Sequence, residues 1–460
     1  MTAIRNALSG ALAAQAAINA TSQNTANMKT RGYTRQGVLL TALGPSQGMN
    51  GPGLGVQVSA LLRFSDSYKS QQLWRANSEL GMRTQSQPYL NQLEKIMGED
   101  KTSISNGIDQ FFQALNAAGV DPVSTPLRGQ VVTAAGAMAQ AINSIYSVTR
   151  NQQLSVQQQR ESMLPQANTL IANIADLNDR IALAGSLGTN TSALVDERDL
   201  AIDDLSKMMA IEVLQQPDGS STVSLKSGQP LVAGKLASQL QLVTVPPATT
   251  AELRLDFAGT LFGLDATRIG GSMGGLADFE KNMLAPLQTS IMQLAEDLSN
   301  KVNAQQALGQ NAHVPPTAGT PLFVYNASGT GGLLNVASNF KGDDLAFSAT
   351  GAPGDSGNLQ KLIAIKNSAV NLTSIGNVQI GDADTQLVGK LGIDSKQNQS
   401  LLKNASTIRE QAEEDWASTS GVNEDEEAIN LVEFQKMYQA NMKAIAVANS
   451  LFDSTLAMFN

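Results

Sequence analysis

The two ends of the chain carry one pattern, and it constrains everything between them. In residues 420–460, Leu431, Phe434, Tyr438, Asn441, Ile445, Ala448, Phe452 and Thr455 recur at alternating steps of three and four. In residues 1–28, Ile4, Ala7, Ala11, Ala14, Ile18, Thr21, Thr25 and Met28 do the same, with Leu8 widening the stripe. This spacing puts each set on one side of a helix. Asn423 is placed to cap the C-terminal helix, with Glu426 reaching back to complete a capping box. Glu424, Asp425 and Glu427 lie where the helix dipole favours negative charge. If the stripes pair, early and late segments share one rod and the middle is an insertion. On pattern alone, however, such a stripe serves an ordinary intramolecular core more readily than a contact between subunits. The N-terminal seam is mostly Ala and Thr, which gain less than the roughly 1.5–3 kcal/mol of a large buried side chain. Against about 1–2 kcal/mol of backbone entropy per ordered residue, the arm is expected to fray in the monomer and to order when neighbours cover it.

Between the ends the period changes twice. Residues 29–63 hold Lys29, Arg31 and Arg35 around Gly32 and Tyr33, then two apolar runs split by the Gly- and Pro-rich residues 44–55, which predicts a loop and a hairpin. Ser65 is expected to cap a helix to about Met97, kinked or restarted at Pro88. Ile104, Ile108, Phe111 and Leu115 predict another helix, and Leu127, Val131, Met138, Ile142 and Ile145 a third. Ile171, Ile174, Asn178 and Ile181 continue the pattern beyond a kink at Pro165. Runs at 211–214, 222–225, 239–245 and 252–257, divided by Pro217-Asp218-Gly219, Gly228 and Pro246-Pro247, predict a small β domain. Helical spacing returns from Leu276 to Val302, interrupted at Pro286. Residues 309–357 are irregular and are expected to resume the β domain. A stripe from Leu401 to Trp416 then makes a helix before Ser420-Gly421.

The expected fold is α+β and mainly α: terminal helices paired as a coiled-coil-like rod, a long helical bundle and a small inserted β domain. Its parts are residues 1–40 with 420–460 as the terminal assembly domain, 41–210 with 276–308 and 390–419 as the bundle, and 211–275 with 309–389 as the outer β-rich domain.

Aromatic residues are only 4% and charged residues 15% of the 460, so the interior draws on Leu, Ile, Val, Ala and Met, as packed helices allow. The net charge of -9 gives no basic face for phosphates and argues against nucleic acid and anionic membrane. No apolar run approaches the roughly 20 residues of a membrane span, and the N-terminus lacks the apolar core of a signal peptide, so a soluble chain without cleaved secretion is expected. With no cysteine, thiol chemistry and Cys-ligated metals are excluded.

Candidate chemistry is sparse. His313 is the single histidine, in a Pro-rich loop, where exposure is the ordinary outcome. Residues 270–275, Gly-Gly-Ser-Met-Gly-Gly, precede a helix but lack the Lys-Ser/Thr ending of a phosphate loop, and read as a junction. Glu413, Glu414 and Asp415, with 424–427, read as a solvated face and a dipole-matched helix start rather than a metal or acid-base site. Lys29, Arg31 and Arg35 are too few for nucleic acid and suit a loop contacting acidic neighbours. No catalytic residue, cofactor or metal is expected.

Particular residues say more. Ser22-Gln23-Asn24-Thr25-Ala26-Asn27 with Gly32-Tyr33-Thr34-Arg35-Gln36 resembles the N-terminal motif of the bacterial flagellar axial proteins of rod, hook and junction. Ser420-Gly421-Val422-Asn423, Asp425-Glu426-Glu427, Phe434-Gln435 and Tyr438-Gln439-Ala440 resemble the matching C-terminal motif. Interior runs, among them Ile174-Ala175-Asp176-Leu177-Asn178, Leu194-Val195-Asp196-Glu197-Arg198-Asp199, Gly274-Gly275-Leu276 and Val302-Asn303, are similar to those of the hook-associated protein 1 family.

The resemblance implies a structural protein at the hook-filament junction, exported unfolded by the flagellar type III apparatus and self-assembling into a helical array. Implied partners are other copies of itself, the flagellar hook subunit, the second junction protein, and an export chaperone on the C-terminal helix, with neither nucleic acid nor membrane. The implied location is the extracellular flagellum, after a cytoplasmic stage. Ile4, Leu8, Ile18, Leu431, Phe434, Tyr438, Ile445 and Phe452 would form the inner tube. Asn24, Asn27, Gly32, Tyr33, Arg35 and Gln36 would shape the turn leaving it, and Asn423 and Glu426 the start of the last helix. Another axial protein, a secreted binding module and a hydrolase on the acidic residues are the alternatives.

Overall fold

The computed structural model describes residues 2–44, 53–99, 103–243 and 252–458. Helix α1 (Thr2–Asn27) leads into strands β1 (Gln36–Leu43) and β2 (Gly55–Arg63), then α2 (Ser67–Met97), α3 (Ile104–Ala118), α4 (Thr125–Ser186) and α5 (Ser192–Met208). Strands β3 (Ile211–Gln215), β4 (Ser221–Leu225), β5 (Pro230–Ala233), β6 (Leu236–Ala237), β7 (Gln239–Val243), β8 (Glu252–Phe257) and β9 (Thr260–Gly263) follow. Then come α6 (Gly271–Phe279), α7 (Ala285–Ala307), β10 (Phe323–Tyr325), β11 (Leu334–Val336), α8 (Gly357–Ala364), β12 (Ala369–Leu372), β13 (Gly376–Gln379), α9 (Ala383–Ser420) and α10 (Glu424–Ala457). The fold is α+β and mainly α, with small antiparallel sheets.

The chain forms two compact units. One holds residues 1–80, 164–264 and 405–460; the other holds 81–163 and 265–404. Helices α2, α4 and α9 contribute to both.

In the first unit, α1 packs against α10 and against the β1-β2 hairpin. The middle of the chain supplies a four-stranded sheet, β3-β4-β5-β6, and a three-stranded one, β7-β8-β9. β4 is buried on alternate residues (Ser221, Val223 and Leu225), as the period of two requires of a strand with one covered face. Two helical asparagines clamp strand backbones. Asn168 donates to the Leu240 carbonyl at 2.9 Å and accepts from its N–H at 2.8 Å. Asn178 does the same to Ser221 at 2.7 and 2.9 Å and donates to the Gly234 carbonyl as well.

The second unit is built on a continuous apolar core including Leu90, Ile108, Phe111, Met138, Ile142, Phe279, Ile291, Leu298, Phe347 and Leu387. Ile104, Ile108, Phe111 and Leu115 of α3 are all at most 2% exposed, and each such burial contributes roughly 1.5–3 kcal/mol. Phe111 meets Phe112 and Phe323 edge-on, a geometry that suits the ring quadrupoles. Asn143 clamps Leu334 and Asn303 clamps Phe323 in the same two-bond way as in the first unit.

Several expectations are corrected. The residues expected to form one outer β domain are divided: 211–264 cluster in the first unit, 265–389 in the second. Strands β10–β13 pair among themselves, as two separate hairpins. Pro88 does not restart α2 but lies inside one unbroken helix, as Pro165 does inside α4. Each costs one backbone hydrogen bond, and buried neighbours such as Leu90, Leu93, Ala167 and Ile171 offset the loss. Before Pro286, where the ring would crowd the carbonyl four residues back, the helix widens into a π turn over Glu280–Leu284. Asp66, not Ser65, caps α2, accepting from the N–H groups of Tyr68 and Lys69. Helix α9 begins at Ala383, well before Leu401. The 270–275 run is not a junction ahead of a helix but its cap and first turn, and Gly275 lets that turn approach α2. Residues 45–52 of the predicted hairpin loop, and Pro246-Pro247, lie outside the described residues.

Candidate assembly interface

Helix α1 turns its smallest residues inward. Ala7, Gly10, Ala11, Ala13, Ala14, Ala17 and Thr21 are buried. A Cβ on Gly10 would stand 2.6 Å from Asn441 Oδ1 of α10, so any larger residue there would push the Asn441 side chain aside. On its other flank α1 holds the hairpin: Asn6 Nδ2 donates to the Gly53 carbonyl at 3.0 Å, and Val56 N–H donates to Ser9 Oγ at 3.1 Å. From α10, Leu431, Phe434, Tyr438 and Ile445 are half-buried. Among the remaining stripe residues, Ile4 and Ile18 are half-buried, whereas Leu8 is 49% and Phe452 58% exposed. Leu12, Ile429, Val432, Val447, Leu451 and Leu456 are exposed too. The predicted seam therefore divides along its length: its middle closes the α1-α10 pair, while Leu8 and Phe452 stay exposed, and further apolar side chains of both helices are exposed beside it.

The turn leaving the helix pair is tightly bonded. Asn24 is buried; its Nδ2 donates to the Gln36 carbonyl at 2.8 Å, and its Oδ1 accepts from Gln36 N–H at 3.0 Å and from the Tyr33 hydroxyl at 2.8 Å. Burial, reinforced by the negative charges of Asp196 and Glu427, pushes the Tyr33 hydroxyl up to about 12, so it remains a donor. Gly32, at φ +82, turns the chain against Leu200, a backbone region that penalises a side chain. Asn27 closes the helix end locally, with Nδ2 on the Gln23 carbonyl and Oδ1 accepting from Thr30 Oγ1, and does not join the Asn24 network.

Arg35 ties the two termini together. Its N–H donates to the Ser420 carbonyl at 2.9 Å, its Nη1 pairs with Glu426 Oε2 at 2.5 Å, and its guanidinium lies 4.7 Å over the Phe64 ring. This corrects the expected capping box. Asn423 Oδ1 does cap α10, accepting from the N–H groups of Asp425 and Glu426 at 3.0 and 3.3 Å. The Glu426 carboxylate goes to Arg35 because a charge-assisted bond outweighs the return bond to a neutral amide.

One cluster was missed by sequence reasoning. Arg63, at the end of β2, binds Asp196 Oδ1 at 2.7 Å, Asp199 Oδ2 at 2.8 Å and Thr34 Oγ1 at 3.0 Å. Thr34 N–H in turn donates to Asp196 Oδ2 at 3.3 Å. Burial pushes the Asp196 carboxyl up despite the opposing Arg63 charge. The run Leu194 to Asp199 stood out by resemblance, but nothing in its spacing pointed to Arg63. Arg31 pairs with Asp203 and Asp204, the acidic neighbours expected for this loop. His313 pairs with Asp344 at 2.8 Å. Among the described residues no group of His, Cys, Asp and Glu is placed to hold a metal ion, and no helix is long and apolar enough to cross a membrane. What the arrangement offers is packing: a braced turn, a helix pair and exposed apolar side chains on both helices.

Comparison with known proteins agrees with that geometry. Residues 416–458 match the family described as flagellar basal body rod FlgEFG protein C-terminal. The chain is 26% identical to flagellar hook-associated protein 1 of Salmonella typhimurium over 98% of this chain and 99% of that protein. It is 25% identical to the protein of the same name from Bacillus subtilis, over 98% and 96%. Among solved structures, the flagellar hook junction protein FlgK from Burkholderia pseudomallei matches with a TM-score of 0.51 and 28% identity, over 56% of this chain and 47% of that one. Residues 90–323, more than half of the chain, match the family described as flagellar hook-associated protein FlgK helical domain, and the chain belongs to that family of flagellar structural proteins.

Proposed function

We propose that the chain is the structural subunit joining the flagellar hook to the filament, built into a helical array through its terminal helices. The observation that carries this reading is the number of large apolar side chains left exposed on α1 and α10, among them Leu8, Leu12, Val447, Leu451, Phe452 and Leu456. Exposed apolar residues gathered on one helix pair mark a contact site. The contact is heterologous: one face of the helix pair meets a different face of the next subunit, which gives an open helical array instead of a closed dimer. Leu431, Phe434, Tyr438 and Ile445 hold the pair together, with Ile4 and Ile18 opposite; Leu8 and Phe452 face neighbours. Asn24, Gly32, Tyr33, Arg35 and Gln36 fix the exit turn, Asn27 finishes α1, and Asn423 and Glu426 set the start of α10.

In this reading the chain passes unfolded through the flagellar type III apparatus, with an export chaperone covering the apolar residues of α10 in the cytoplasm. It then takes its place between the hook subunit and the second junction protein outside the cell, and it performs no catalysis. Electron microscopy of a strain lacking the gene tests the reading. Hooks without filaments, restored by the wild-type chain, are expected; normal filaments in the deletion strain would overturn it.

A further inference from the structure

A cavity of about 210 Å³ opens between α1, the base of the hairpin and α10, lined by Thr21, Arg35, Gln36, Phe64, Glu427 and Asn430 among others. Glu427 is only 3% exposed, and its Oε2 has no hydrogen-bond partner in the chain. Arg35 does not supply one. Its Nη1 is taken by Glu426, its face by Phe64, and its Nε is itself unpartnered. The one cation in the cavity lining is thus engaged by Glu426, which lies outside that lining, and Glu427 Oε2 is left without a partner. The positive end of α10 offers partial compensation, but a buried carboxylate oxygen without a donor remains costly.

The missing charge is present on the same helices, pointing outward. Among the described residues Arg5, Lys436 and Lys443 are exposed and make no ion pair within the chain. The strand and the helix that line the cavity also carry exposed apolar residues, Leu39 and Leu40 on β1 and Ile429 on α10.

We propose that this cavity is a socket for a basic side chain carried on the terminal helices of a second copy of the chain, whose ammonium or guanidinium pairs with Glu427. The proposal rests on the assembly reading above and names one contact within it. Filament growth becomes dependent on one charge that the isolated subunit leaves unmatched.

The test uses the full chain in a strain lacking its own copy, with hooks and filaments counted by electron microscopy. If the wild-type chain restores no filaments, the junction reading fails, separately from the socket. Glu427→Gln and Glu427→Lys are expected to leave hooks bare while the purified variants melt no earlier than wild type. One of Arg5→Glu, Lys436→Glu or Lys443→Glu, combined with Glu427→Lys, is expected to restore filaments. A second measurement exploits the absence of cysteine: Glu427→Cys is paired with Cys at each of the three basic positions, and isolated flagella are oxidised with a copper-phenanthroline catalyst. One pair is expected to give disulfide-linked subunits. Normal filaments on Glu427→Lys, as when water alone satisfies the carboxylate, overturn the proposal. Bare hooks with neither reciprocal rescue nor any linked pair overturn it equally.

Discussion

Asn24 grips Gln36 from both sides, donating to its carbonyl at 2.8 Å and accepting from its N–H at 3.0 Å. The same two-bond grip joins Asn143 to Leu334, Asn168 to Leu240, Asn178 to Ser221 and Asn303 to Phe323. In each case a helical side-chain amide stands in for the neighbouring strand that a backbone N–H and C=O would otherwise require. Asn178 is fully buried and donates to two carbonyls. Asn178→Asp turns donors into acceptors facing those oxygens, and should lower stability by about 3 kcal/mol. Thermal unfolding measures it, and an unchanged melting temperature would show that the grip is not structural.

These grips mark how far the sequence was legible. An Asn on an apolar stripe, as at Ile171, Ile174, Asn178 and Ile181, is visible as an anomaly in a periodic pattern, because a polar group on a core face must have a partner. The identity of that partner is not visible, since Ser221 lies 43 residues away. Helices α1, α3 and α10 were readable from spacing alone. The covered face of α1 was readable in part: Ala7, Ala11, Ala14 and Thr21 of the predicted stripe are buried, whereas Gly10, set against Asn441, stood outside the pattern and Leu8 is exposed. Likewise Arg63 and Asp196 are separated by 133 positions, and residues 309–389 have too little periodicity to show that they pack on α3 and α7.

Gly275 faces the α2 backbone, where an added Cβ would stand 2.2 Å from the Met82 carbonyl oxygen, and its own carbonyl accepts from Ser86 Oγ at 3.0 Å. Backbone cannot yield as a flexible side chain does. Gly275→Ala should therefore cost about 1–3 kcal/mol, read as a lower denaturant midpoint. A midpoint equal to wild type would mean that α6 and α2 separate freely.

Asp384 begins α9 and accepts from Ser105 N–H at 2.8 Å while only 2% exposed. Burial pushes its carboxyl up to about 6, with backbone bonds from Ser105 and Ile104 pulling the other way. The folded chain thus holds this proton more tightly than the unfolded chain, whose value is near 3.8. The carboxyl's contribution is most favourable below that value, is lost as pH rises through the window up to about 6, and is constant above it; the loss is about 3 kcal/mol. Asp384→Asn removes the titration and keeps one acceptor oxygen. Its melting temperature relative to wild type should rise from pH 4 to pH 6 and then level; a difference independent of pH would contradict this.

Phe434 and Phe452 belong to one predicted stripe, yet Phe434 is half-buried beside α1 and Phe452 is 58% exposed. An Asp at 434 would lose apolar contact and place a carboxylate against the helix pair, at about 2–4 kcal/mol. An Asp at 452 disturbs no core, and its effect on the isolated chain should stay within about 0.5 kcal/mol. In an array the balance differs, because a neighbour that covers position 452 must desolvate the new charge without a partner for it. Phe452→Asp is therefore expected to leave melting unchanged and hooks bare, whereas Phe434→Asp should lower both melting and filament number. Comparing the two variants separates folding from assembly. Swimming cells and full-length filaments with Phe452→Asp would remove Phe452 from the interface, and normal melting with Phe434→Asp would remove Phe434 from the helix pair.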